Sequence, residues 1–304
     1  MMRPAWYQAD PLRIGFTDHL SPMHASPLAF RAKGEQRLRG DERRLASQRV
    51  GSATHALLLE GGAAFRRGYV VTGVRRDLRT AAYREVVEAA GGRQVLSQAE
   101  HDKAVSIATA VRSHAWVRRF LDELTGDGWR MVVEQPLRWS ESLHLADRPA
   151  VVPAGVDPWE GIEQAQIECK GIVDALAVCR QAGRAAIVDA KEVPTTNLRP
   201  LFSHLERRLY HVQAAHYLAG VRELLPGIEV DYFWLAYEGT GLHDSVVIRL
   251  SDDDARYGET VRAGLLRRIV QTRRTGEYPG RHTQVVQSSL PAWSTRNDDI
   301  EEVF

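Results

Sequence analysis

Apolar and polar residues alternate along this chain with two different periods. Spacing of three to four, which marks a helix with one buried face, runs through residues 51–60, 79–89, 98–124, 202–225 and 251–275. In the second-last of these, Leu209, Val212 and His216 form one stripe, and Tyr210, Gln213 and Tyr217 form the stripe beside it. Apolar runs bounded by turn residues, which mark strands, cover 65–73, 129–139, 229–238 and 244–250. Between them lies IECKGIVDALAVCRQAGRAAIVDAKE, residues 167–192, which reads as two strands around a turn centred near Gln181 and Ala182. Residues 31–50, 140–165 and 194–199 are expected to be loops. Residues 1–30 show no long periodic run, only short helical starts near Phe16 and after Pro27. One domain over 1–280 with a helical N-terminal segment, followed by a loosely ordered tail over 281–304, fits this order.

The central hairpin carries charge where a strand expects none. Asp174 lies in its first strand, Asp189 and Lys191 in its second. Strand side chains alternate faces, so Asp189 and Lys191 share a face with Ile187 while Val188 and Ala190 point away. Asp174 should share a face with Ile172 and Leu176. A turn at Gln181–Ala182 puts Asp174 across from Asp189. Charges in such a setting are costly unless they pair or bind something. Two carboxylates with a nearby ammonium suit a hard divalent cation and a polarised phosphate. A structural ion pair at a strand edge, with Lys191 blunting that edge, is the alternative.

Bulk properties narrow the classes. The 304 residues hold 44% apolar positions, enough for a substantial core. Formal charge is +1, from 40 basic and 39 acidic residues, so any nucleic-acid site must be a local patch. Two such patches stand out: Arg31, Lys33, Arg37, Arg39, Arg43, Arg44 and Arg49 early in the chain, and Arg262, Arg267, Arg268, Arg273 and Arg274 late. Cys169 and Cys179 form no disulfide pattern, and with no signal-peptide pattern a reduced, cytoplasmic setting is expected. No apolar run reaches membrane-spanning length. There is no Gly-rich phosphate loop and no nucleophile elbow.

Three further residues are candidates. His55 sits three and four residues before Leu58 and Leu59, beside a core face, as a structural group or a ligand. Glu134 interrupts the apolar strand of 129–139, as an edge carboxylate or a third acidic ligand. Gln213, between Tyr210 and Tyr217, is hard to explain by packing alone. His211 and His216 are five apart and align poorly as a metal pair.

Taken together these residues resemble the PD-(D/E)xK nuclease superfamily, and more closely its phage RecE-type, exonuclease VIII-like exonucleases. The likeness spans roughly residues 15–270. HLSPMHASPLAFRA resembles the family's opening segment, and GSATHALLLE its G-x-x-x-H-x-x-L-x-E helix, with the histidine on His55. VVEQPL places an acidic residue on Glu134, GIVDAL a metal-binding aspartate on Asp174, and IVDAKE the D-x-K pair on Asp189 and Lys191. YHVQAAHY resembles the helix bearing Gln213 and its flanking tyrosines. The superfamily's leading proline is absent, with Ile187 or Val188 there, and Ala190 stands where many relatives carry a β-branched or polar residue. Neither departure removes a ligand.

The resemblance implies an α/β fold, a mixed central β-sheet flanked by helices, and Mg2+-dependent hydrolysis of linear double-stranded DNA, commonly 5′ to 3′. Mn2+ would substitute. It further implies a ring or tetramer and a single-strand annealing protein as partner in recombination. Asp174, Asp189 and the Ala190 carbonyl would hold the metal, with His55 and Glu134 shaping the site. Lys191 would position the attacking water, and Gln213 and Tyr217 would orient Lys191 or the DNA. Arg43, Arg44, Arg267 and Arg268 are candidate phosphate contacts. Rival readings are an endonuclease or repair nuclease of the same superfamily, a non-catalytic DNA-end-binding protein, and an α/β protein whose D-x-K is an ion pair.

Overall fold

A computed structural model describes residues 13–38, 46–146 and 161–285. Short helical turns at Phe16–Leu20 and Ser21–Ala25 (α1) lead into α2 (Pro27–Leu38). Next come α3 (Ala46–His55) with a π-helical extension Ala56–Glu60, α4 (Gly62–Gly68), β1 (Tyr69–Thr72) and α5 (Ala81–Ala89). β2 (Gln94–Ser97), α6 (Gln98–Ser113) and α7 (Ala115–Glu123) precede the main sheet strands β3 (Arg130–His144), β4 (Gln164–Cys179) and β5 (Arg184–Val193). The chain continues through α8 (Leu198–Arg207), α9 (Tyr210–Leu224), β6 (Glu229–Glu238), β7 (Ser245–Arg249) and α10 (Asp252–Thr275). The five-stranded sheet has the order β3-β4-β5-β6-β7, and β1 and β2 form a separate parallel pair. β5 and β6 are parallel, and the other neighbours antiparallel. The α/β fold with a mixed sheet between helices is therefore as expected.

Both faces of the sheet are covered, which is why β5 and β6 read as nearly continuous apolar runs. On one face Ile187, Val193, Trp234 and Ala236 pack with Leu201 of α8, Val212 and Val221 of α9, and Leu266 and Ile269 of α10. On the other, Ala186, Val188, Ala190 and Leu235 pack with Ala53 and Leu58 from the α3 segment and with Ile107, Val111 and Val117 from α6 and α7. Ser251 caps α10 by accepting the Asp254 N–H at 3.1 Å.

β3 and β4 are far longer than their pairing with the rest of the sheet. They pair with each other from Arg130–Val178 to His144–Gln164, whereas β4 meets β5 only from Ala175–Val188 to Cys179–Arg184. Beyond Ala175 the two long strands leave the sheet as a ribbon. Their pleat also changes sides at that point. Leu137, Trp139, Cys169 and Val173 join the α9 core, but Met131, Val133, Ala175 and Ala177 join the opposite one. The switch falls at Glu134, whose backbone is left-handed with φ 51°. A non-glycine residue in that region is uncommon and strained.

Several expected boundaries are corrected. Residues 31–38 and 46–50 are helical, not loop, and within the expected 140–165 loop residues 140–144 and 164–165 are strand, while 147–160 lie outside the described residues. The strand expected over 65–73 is α4 followed by only four strand residues. The helix over 98–124 breaks at His114, where ψ is 117°. Trp116 is then exposed, while Phe120 packs on Phe233 with centroids 5.0 Å apart. The helix over 202–225 breaks at Leu209, which is left-handed with φ 58°. Lys191 lies on β5, paired with β6 but beyond the point where β4 stops pairing with it. Arg262 is no surface charge: it is 1% exposed and pairs with Glu141 and Glu259. Arg49 is bound to Glu100 at 2.5 Å. Arg39, Arg43, Arg44 and the tail beyond 285 lie outside the described residues. Among the described residues no helix is long and apolar enough to cross a membrane.

Candidate active site

The fork where β4 parts from β5 gathers the charged residues. Counting on from Ala175–Val188 places Asp174 opposite Asp189, the register expected from the hairpin turn. The pairs Val133–Ala175 and Gln135–Val173 likewise leave Glu134 opposite Asp174 on its other side. Three carboxylates thus stand abreast on β3, β4 and β5.

Asp174 occupies the crotch of the fork. Its Oδ2 accepts the Ala190 N–H at 2.9 Å, replacing a ladder bond that ends there. His55 Nδ1 reaches the same oxygen at 3.4 Å from the α3 layer. That ring lies edge-on to Tyr237, with centroids 6.5 Å apart and an interplanar angle of 79°. Deep in the sheet, 1% exposed, Asp189 faces the α9 layer. Lys191 Nζ lies 2.6 Å from Asp189 Oδ2 and 4.8 Å from the centre of the Tyr210 ring. Further along α9, Gln213 Nε2 donates to the Tyr217 hydroxyl at 3.1 Å. Gly171 gives that tyrosine room on β4: a Cβ there would stand 3.0 Å from Tyr217 Cε1.

Electrostatics follow from burial and from the charges beside it. Burial pushes the Asp189 carboxyl up to about 6; the Lys191 ammonium opposes the rise and Asp174 adds to it. Burial works to lower the Lys191 ammonium, but Asp189 and Asp174 outweigh it and its pKa is raised. Burial also raises Glu134, and the nearby carboxylates Asp174 and Glu60 raise it further.

The structure thus brings His55, Glu134, Asp174, Asp189, Ala190 and Lys191 to one fork, with Tyr210 under the lysine and Gln213 and Tyr217 along the same helix. Sequence reasoning passed over three neighbours. Glu60 closes the GSATHALLLE segment and acts on Glu134, so its signal was in the pattern already quoted. Tyr232 lies close enough to Asp189 for that carboxylate to reinforce the rise that burial imposes on its hydroxyl. Tyr237 walls His55. Both tyrosines sit in an apolar strand and look like core.

The donor set suits a hard cation. Among the described residues no three of His, Cys, Asp and Glu converge into a ready cage. Zinc-type sites require such a cage. Mg2+-type ions take one or two carboxylates and keep several waters. Asp189 Oδ2, beyond its ion pair, and the buried Gln213 Oε1 find no hydrogen-bond donor.

The chain matches the PD-(D/E)XK nuclease superfamily over residues 18–284. It belongs to that superfamily. Nucleases of this superfamily typically use divalent metal ions. None of the curated proteins matches the chain significantly. Among solved structures, a crystal structure described as a "Putative exonuclease" from Eubacterium rectale is similar, with a TM-score of 0.54 at 13% identity. The likeness covers 98% of this chain and 99% of that one. At that identity it speaks for the fold, the nuclease sheet with its flanking helices.

Proposed function

We propose that this protein is an exodeoxyribonuclease that hydrolyses linear double-stranded DNA from its ends, 5′ to 3′, with Mg2+ as its ion and Mn2+ able to replace it. The observation that carries the reading is the fork: Asp174 and Asp189 opposed, with Lys191 held against Asp189 at 2.6 Å. Asp174 and Asp189 would hold the ion with the Ala190 carbonyl, and Glu134 and His55 would flank it. The ion, when bound, polarises the scissile phosphate and lowers the pKa of water. Lys191 would donate hydrogen bonds that position the attacking water and meet the charge growing on the phosphate. Tyr210 fixes the ammonium from below. Gln213 and Tyr217, hydrogen-bonded as a pair, orient the groups along α9. Arg268 is exposed on α10, available to phosphates, and Arg267 beside it is half-exposed and donates to the Ala146 carbonyl at 3.4 Å.

The RecE-type pattern of six ordered segments supports attack at ends, work in recombination beside a single-strand annealing protein, and a ring or tetramer. Near-neutral net charge fits an oligomer that concentrates positive potential in a channel. The test is digestion of blunt linear duplex labelled separately at its 5′ and 3′ ends, with closed circles alongside and Lys191→Ala as control. The expected result is Mg2+-dependent loss of the 5′ label as mononucleotide, circles intact and the variant inactive. Cleaved circles would favour an endonuclease. End binding without cleavage in either metal would favour a non-catalytic role.

A further inference from the structure

α8 does more than cover the sheet. Its inner positions Leu201 and Leu205 are buried, as an amphipathic helix requires. A second apolar pair, Leu198 and Phe202, sits one turn apart on the outside and is 54% and 49% exposed. Arg199, Arg207 and Arg208 are exposed on the same short segment. Among the described residues no carboxylate lies in ion-pair range of these three arginines. The helix is firmly seated. Just before it, Thr196 donates its backbone N–H to Glu238 Oε1 at 3.0 Å and its hydroxyl to Asp244 Oδ2 at 2.8 Å.

α8 also touches the surroundings of the fork through His204. His204 meets the Tyr210 ring edge-on, with centroids 6.2 Å apart, and Tyr210 lies under Lys191. Arg207 and Arg208 stand close enough to His204 to add to the lowering that burial imposes on its imidazole. The lysine is therefore linked through two rings to α8, the helix that also carries the exposed Phe202 and the three unpaired guanidinium groups.

Resting on the nuclease reading above, we infer that α8 is a strand-docking platform for DNA: Phe202, backed by Leu198, stacks an unpaired or terminal base of the strand at the fork, while Arg199, Arg207 and Arg208 hold its phosphates. Bases offer an aromatic side chain a flat apolar face, and the adjacent phosphates supply the charge that unpaired arginines lack. The base so held belongs to a strand end, because an internal base pair presents no free face.

The test uses the full chain with Ca2+ in place of Mg2+, and duplexes carrying 2-aminopurine at the terminal or at an internal position. Wild type should alter the fluorescence of the terminal probe and not the internal one. Phe202→Ala should abolish that change and weaken end binding about tenfold, within the range of one stacked base. Phe202→Trp should restore both. Joint Arg199→Ala, Arg207→Ala and Arg208→Ala changes should lower the salt dependence of binding by about one power of salt per lost phosphate contact. Phe202 is half-exposed, so its removal leaves the core intact. If wild type binds ends and Phe202→Ala binds them equally, the platform is wrong and the nuclease reading stands. If Phe202→Ala instead changes the sedimenting mass without touching DNA affinity, the ridge is a contact between copies and the platform is again overturned. If wild type neither binds nor cuts DNA, the underlying reading fails first.

Discussion

Asp174 Oδ2 accepts the backbone N–H of Ala190 at 2.9 Å, across the point where β4 parts from β5. One carboxylate therefore has two duties, closing the fork and presenting negative charge to it. Asp174→Asn keeps an acceptor oxygen but loses the charge. It should stay folded and lose about three orders of magnitude in nuclease activity, several kcal/mol of transition-state stabilisation. Asp174→Ala should lose the same activity and also about 1–3 kcal/mol of stability, because the Ala190 N–H is left without its partner. Urea unfolding beside single-turnover cleavage separates the two. Equal stability of both variants would sink the structural duty.

Lys191 and Asp189 form a buried pair at 2.6 Å, so removing one partner leaves the other charged in the sheet. Lys191→Met or Asp189→Leu alone should each cost about 3–5 kcal/mol, and the double variant distinctly less than their sum. A double-mutant cycle in urea measures the coupling. Additive losses would mean that the pair is not interacting.

Burial raises the Asp189 carboxyl from an ordinary 3.8 to about 6. The folded value lies above the unfolded one, so between those limits the native protein carries the extra proton. The metal-free protein is then stabilised by this group as pH falls through about 6. A bound divalent ion needs the opposite state. Mg2+ affinity and cleavage should therefore fall as pH drops below about 6, up to about tenfold per unit. Calorimetric titration of Mg2+ above and below that pH reads this directly, and a flat profile would contradict it.

His216 should give a pH response of opposite sign. Its Nε2 donates to the Lys170 carbonyl at 3.0 Å, while Nδ1 accepts from Arg262 Nε at 3.3 Å. Burial, then Arg262, pushes its pKa well below the ordinary 6.5. The unfolded chain takes up this proton first, so the stability it contributes is present above about 6.5 and lost as pH falls. Comparing urea midpoints of wild type and His216→Gln across that range isolates the effect, which should vanish in the variant.

Gly220 lets α9 lie close on β3. A Cβ there would stand 2.7 Å from Trp139 Cζ3 and 2.8 Å from Cε3. Gly220→Ala should cost about 1–3 kcal/mol by overpacking, against a smaller gain in helix propensity. Activity should fall with it, since Gln213 and Tyr217 ride on the same helix. A higher thermal midpoint would contradict the close contact.

Much of the sheet was legible because its signals are local. The apolar run of β6 and the length of the hairpin turn each depend on a few neighbouring residues. The opposition of Asp174 and Asp189 follows from that turn by counting. What escaped depends on distant partners. His114 and Leu209 break helices without Gly or Pro, so the apolar period runs straight through them. The outer ends of β3 and β4 carry Ser140, Ser142, Gln164 and Gln166, whose side chains bond across the ribbon and read as loop in sequence. Arg262 looked like surface charge because its partner Glu141 lies 121 residues away. The side-switch at Glu134 defeats any alternation rule: Val173 and Leu176, three apart on β4, join the same core.

The ribbon beyond the fork changes how this molecule is free to vary. From Gln164 to Val173 the strand β4 pairs with β3 and, at Cys169, with Ile14, whereas from Ala175 it is also paired with β5. The carboxylates sit on the boundary between a part of β4 paired to β5 and a part that is not. Residues added or removed at the far end of the ribbon shift nothing in the pairing that opposes Asp174 to Asp189. The outer reach of the protein, and with it whatever it meets there, can be remodelled while the chemistry stays where it is.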